Sequence, residues 1–240
     1  MNLTSFRAAT STLALALTVG AVVLTGCGPS IDPAAKADID RRVAMLKPAG
    51  QAYAAPTAFG PAPFAVGQWT QHRMTDDKGQ PSFMTYKVVG QDGAAFWLEV
   101  VSESYTGKTV TKMLMSIGNR MDPQSVTIHG VKMRDNKGRV NEFDRNMVAL
   151  MQSLWRGTVN MLFISWQGQP QEDAAVPAGT FAGCFKMRTD ASWGSFSTAS
   201  MSWSHAAVPL SGLVRSQGLD KPTTMELVAF GLTGATSELP

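Results

Sequence analysis

Two cysteines and three histidines carry most of the reactive side-chain chemistry open to this 240-residue chain. Cys27 and Cys184 could each supply a thiolate nucleophile, a metal ligand or an acyl acceptor, and His72, His129 and His205 could each serve as base or ligand. A metal centre would need the imidazoles to converge with carboxylates, and a Ser-His-Asp hydrolase would need His205 or His72 beside a serine and an acid. The three histidines lie on or directly beside different predicted strands, where a strand or turn role is the expected one. The chain contains no Gly-x-Ser-x-Gly elbow, P-loop, His-Glu-x-x-His or Cys-x-x-Cys. No catalytic residue, metal or cofactor is therefore expected.

Cys27 has the more informative surroundings. Residues 1–26 carry one basic residue, Arg7, and then an uncharged run from Leu13 to Leu24, too short to span a bilayer and proportioned like the apolar region of a signal peptide. Directly after it stands Leu24-Thr25-Gly26-Cys27, which resembles the lipobox of bacterial lipoproteins. That resemblance implies cleavage before Cys27 and acylation of its sulfur and new amine, leaving a lipid anchor in place of the leader; the alternative is an uncleaved N-terminal helix. Two or three acyl chains hold essentially permanently, at about 0.8 kcal/mol per buried methylene. Gly28 in place of Asp after the Cys implies sorting to the outer membrane, on its periplasmic side, in a Gram-negative envelope. With Cys27 acylated, Cys184 is the one remaining thiol and no intramolecular disulfide can form. Its neighbours, Phe181-Ala182-Gly183-Cys184-Phe185, predict a buried, inert thiol.

Loss of Arg7 with the leader leaves the net charge of +3 reduced by one. So small an excess excludes an electrostatic case for nucleic acid as partner. The charged fraction is only 16% and the hydrophobic fraction 44%, which excludes a disordered chain. The basic stretch Lys132, Arg134, Lys137, Arg139 is diluted by Asp135 and reads as a solvated turn, with a lipid-headgroup role left open by the anchor. Fourteen methionines are the stronger anomaly, because flexible thioethers suit surfaces that must fit variable apolar shapes as well as irregular cores.

These groups need a scaffold. Residues 27–66, rich in Ala and Pro, read as a tether carrying a short helix that begins at Asp32-Pro33 and ends before Pro48, either docked on the domain or serving as a spacer. From 67 to 240 the pattern is of strands and tight turns. Strands are predicted at 68–75, 82–89, 95–102, 108–116 and 125–134, the first four a meander, with a short return at 139–140. Others are predicted at 159–166, 181–189, 195–203, 212–216 and 224–230. Between these sets, Asn141 to Gly157 has a fair N-cap, acids in its first turn and an apolar stripe, which predicts one long helix of about 22 Å. The expected fold class is α+β with β dominant: a curved antiparallel half-barrel sheet of about nine or ten strands packed against that helix. Met147, Leu150, Met151, Leu154 and Trp155 would then line an apolar cavity between helix and sheet.

The last third carries Val176-Pro177-Ala178-Gly179-Thr180-Phe181, Trp203-Ser204, Val208 to Arg215 and Met225 to Gly231. This resembles the closing strands of envelope half-barrel lipoproteins and, more loosely, periplasmic lipoprotein carriers of the LolA/LolB type. The likeness implies a sheet that wraps helices and can shelter acyl chains; it transfers no site residue. The leading expectation is thus a non-catalytic, membrane-anchored envelope lipoprotein that binds an apolar ligand, a lipid or a lipidated partner. A scaffold lipoprotein with a solid core and a hydrolase with an unrecognised site are the alternatives.

Overall fold

Alternation and turn chemistry together build one dominant sheet. The computed structural model describes residues 30–47, 50–118, 125–144, 146–149, 166–193 and 196–240. Its strands are β1 (Ala52–Tyr53), β2 (Trp69–Thr75), β3 (Pro81–Asp92), β4 (Ala95–Ser104), β5 (Gly107–Ile117), β6 (Val126–Arg134), β7 (Val140–Phe143), β8 (Gln171–Val176), β9 (Gly179–Trp193), β10 (Phe196–Ser204), β11 (Leu213–Gly218) and β12 (Thr224–Gly231). They form a single 12-stranded sheet ordered β1-β9-β10-β11-β12-β2-β3-β4-β5-β6-β7, with β8 also on β9. The pairings are antiparallel except β1 with β9. The sheet is open, with β1 and β7 at the two ends of this order.

Period-two alternation sorts the residues of β3 to β6 onto two faces. Tyr86, Val88, Leu98, Val100, Met113, Met115, Ile128 and Val131 form the main apolar cluster, with Val148 and Leu210 packed on it. Lys87, Glu99 and Lys112, directly opposite one another across β3, β4 and β5, alternate with these and lie on the other face. There the helix α1 (Pro33–Met45) packs against β3, β4 and β5. Asp32 caps it by accepting the Ala34 N–H at 2.8 Å, and Pro33 starts it where no N–H is needed. Ile39 is 2% exposed, Arg42 lies 4.0 Å over the Phe83 ring and 3.1 Å from Glu103, and Tyr105 donates to Asp40 at 2.6 Å.

The segment 235–240 lies on the same face. Fully buried Glu99 accepts the N–H groups of Glu238 (2.9 Å) and Leu239 (3.3 Å) and the Ser237 hydroxyl (2.8 Å). Leu239 packs with Val101 and Val110. The Glu238 carboxylate sits among Lys87 (3.0 Å), Lys108 (2.6 Å) and Arg134 (3.1 Å).

The single long helix predicted from Asn141 is not supported. Asn141, Glu142 and Phe143 belong to β7 and pair with Met133, Lys132 and Val131, so the apolar spacing is overridden by pairing at an open sheet edge. Among the described residues there, 146–149 are helical, with Asp144 accepting the Met147 N–H at 2.8 Å, and 150–157 lie outside the described residues. Among the described residues the fold is β-dominant with 12 strands, against the nine or ten expected. Two strands were unforeseen, β1 and β8. Of the predicted strand 159–166, all but Trp166 lies outside the described residues, and Trp166 is fully buried outside any strand. Among the described residues no helix is long and apolar enough to cross a membrane.

Candidate functional site

Five strands from two stretches distant in sequence, β2–β3 and β10–β12, meet in a row of mixed side-chain length. Ser82 on β3 faces Met74 on β2, Met74 faces Met225 on β12, and Met225 faces Ser216 on β11. Ser216 in turn faces Ser202 on β10, and Gly218 faces Ser200. Directly opposed residues share a face, so two thioethers lie at the middle of the row with short hydroxyl side chains on either side. The short residues leave room that longer ones would fill. The result is a trough of ≈ 320 Å³ lined by Met74, Thr75, Asp76, Ser82, Ser200, Ser216, Gly218, Thr223, Thr224 and Met225. Met225 also packs on the main apolar cluster, which makes the trough floor continuous with the core.

Two turns bound the trough. In the β2–β3 turn Asp76 accepts the N–H groups of Lys78 (2.9 Å) and Gln80 (2.8 Å). At the β11–β12 turn the Gly218 N–H donates to Thr223 O at 2.9 Å, and any Cβ on Gly218 would collide with the Thr223 hydroxyl. Glycine is thus required for this turn to close against the trough wall. Neither Met74 nor the flanking serines stood out in the sequence; the small-residue alternation Ser200, Ser202, Ser204 on β10 was the one available signal.

The predicted cavity residues are placed differently. Met147 is 42% exposed, so it lines no buried cavity, while its neighbour Val148 is buried. Leu150, Met151, Leu154 and Trp155 lie outside the described residues, as do Leu24, Thr25, Gly26 and Cys27.

Each histidine is committed separately. His72 is fully buried and donates through Nε2 to Leu213 O at 3.0 Å; burial draws its pKa down to about 4, so it is neutral. With Nε2 as donor, Nδ1 is the bare acceptor, and it has no partner among the described residues. His205 donates from Nε2 to Ala54 O (3.0 Å), accepts the Ala207 N–H at Nδ1 (3.1 Å), and has its pKa lowered by burial. His129 is exposed, with Nε2 2.8 Å from Ser116 Oγ. Among the described residues no group of three His, Cys, Asp or Glu side chains is placed to hold a metal. Cys184 is buried, with its thiol donating to Phe181 O at 3.5 Å, and burial with the nearby Asp173 charge pushes its pKa up to about 12. In the basic stretch, Lys132 pairs with Glu142, Arg134 with Glu238 and Arg139 with Asp135.

No family model matches the chain, and no curated protein does. Among solved structures it is similar to a Bacteroides fragilis protein described as exported and as having a YmcC-like fold, at 12% identity and a TM-score of 0.36, covering 72% of this chain and 100% of that one. A protein from Parabacteroides distasonis described as a lipoprotein matches at 16% identity and a TM-score of 0.34, over 73% of this chain and 100% of that one. Both likenesses are too distant to transfer a site or an activity.

Proposed function

We propose that this chain is an envelope lipoprotein, anchored through acylated Cys27, that binds an apolar ligand without catalysis. The anchor reading rests on Leu24-Thr25-Gly26-Cys27 behind a charged and then apolar leader. Gly28 favours the periplasmic side of the outer membrane. Binding is supported by one observation above all: the trough of ≈ 320 Å³ floored by Met74 and Met225. That volume falls at the small end of the roughly 300–1,000 Å³ typical of small-molecule sites. Thioethers adapt to chains of varied shape, and the serine and threonine hydroxyls around them can meet the polar end of an amphiphile. The occupant is accordingly a lipid or the lipid moiety of a partner.

The scaffold reading has its own support in the closely filled apolar cluster around Leu98 and Met113, each 1% exposed. Organic extraction and native mass spectrometry of the full mature chain separate the two. Stoichiometric co-purified lipid supports binding; a chain that carries none and takes up none supports the scaffold. Metabolic labelling with palmitate tests the anchor, and Cys27→Ser should abolish incorporation.

A further inference from the structure

Among the described residues, no cation lines the trough. Of the ten residues that line it, Asp76 alone is charged, and its carboxylate is fixed at the rim by the Lys78 and Gln80 N–H groups. The two turns at the mouth add Asp77, Lys78, Asp220 and Lys221, so the mouth has three acids against two bases and a net charge of about −1. Asp220 is held by accepting the Ala199 N–H at 2.7 Å, and Lys221 lies 3.8 Å from Asp77. The cations on the neighbouring strands point elsewhere. Arg73 and Arg215 alternate with Met74 and Ser216, which sets them on the opposite face; Arg73 pairs with Glu226, and Arg215 stacks 5.1 Å over Trp203. Leu219, 46% exposed, follows Gly218 at the mouth and offers an apolar entry. Ser82, Ser200 and Ser216 bring three hydroxyls to the lining of the trough.

We infer that the trough selects an uncharged amphiphile bearing hydroxyl or ester groups and rejects an anionic headgroup, an inference that rests on the trough being a binding site. An anionic head here would lose water without gaining a cationic partner and would meet a mouth of its own sign. A glyceride head can exchange its water for the serine and threonine hydroxyls at little cost.

The probes are monoolein and oleate, which share an acyl chain and differ in head charge, titrated at pH 8 into the full mature chain and into its Asp77→Lys variant. Asp77 lies in an exposed turn, and its replacement changes the mouth from about −1 to +1. Monoolein should bind at least about tenfold more tightly than oleate, roughly 1.4 kcal/mol. In D77K the ratio should fall to about threefold or less through tighter oleate binding, and added salt should restore part of the gap. Oleate binding as tightly as monoolein, or a ratio unchanged in D77K, overturns the inference and leaves the trough as a site. Binding of neither probe by either protein overturns the trough reading and this inference with it.

Discussion

The Glu99 carboxylate and the Glu238 N–H are joined by a hydrogen bond of 2.9 Å across 139 residues of sequence. Glu99 is fully buried, and Lys87 at 3.3 Å gives it a counter-charge that Glu238 shares. One carboxylate therefore satisfies two backbone donors and a hydroxyl while Leu239 closes over Val101 and Val110. The segment 235–240 is a structural strap across β3 to β6.

Removing that carboxylate should unfasten the strap. Glu99→Ala leaves the Glu238 N–H without its acceptor in a buried site, while Lys87 keeps Glu238 as partner, and should cost about 2–3 kcal/mol, with Glu99→Gln costing less because the amide oxygen still accepts. Urea unfolding measures the loss, and amide exchange at 238 and 239 should accelerate before global unfolding. Unchanged exchange at those two amides would contradict the strap.

His72 makes stability depend on acidity. Its folded pKa of about 4 lies below the unfolded value near 6.5, so the unfolded chain binds the proton first. The contribution is complete above pH 6.5 and is lost as pH falls through 6.5 toward 4, to a total of about 3 kcal/mol. Urea titrations at pH 7, 5.5 and 4.5 should show this slope, flattened in His72→Gln, which keeps a donor for Leu213 O. An identical slope in the variant would refute the assignment.

Cys184 should be unreactive while the fold holds. With the thiol buried and its pKa near 12, iodoacetamide at pH 8 should modify the native chain far more slowly than the urea-unfolded chain. Comparable labelling in both states would show that the strand around Phe181 opens readily.

Gly212 joins two requirements in one residue. Its φ of 72° is left-handed, and a Cβ there would collide with the buried Trp166 ring. Gly212→Ala should cost about 2–4 kcal/mol from backbone strain and overpacking together. A loss under 0.5 kcal/mol in chemical unfolding would mean that Trp166 yields freely.

Most strands could be read from the sequence because they announce themselves locally. The meander β2 to β5 has alternating residues and turns such as Asp76-Asp77-Lys78-Gly79, with Gly79 at φ 77°. The start of α1 was visible in Asp32-Pro33 for the same reason. Elements set by distant partners were not visible. β8 opens Gln-Glu-Asp and is largely exposed, so it has a loop's composition and becomes a strand only through β9. β1 is two residues paired with Thr180 and Phe181, 128 positions on. At β7, Val140 and Phe143 suit a helix as well as a strand, and pairing with β6 decides between them. The trough follows from the register of Ser82, Met74, Met225 and Ser216, which no local pattern encodes.

Filling the trough tests the central claim most directly. Ser216→Phe places a ring beside Met225 in a half-buried position, taking up trough volume with little effect on the core. Native mass spectrometry with organic extraction should find lipid on the wild-type mature chain and at least tenfold less on the variant, at matched thermal stability. Equal lipid on both proteins, or none on the wild type even after incubation with added lipid, would contradict the trough as the binding site.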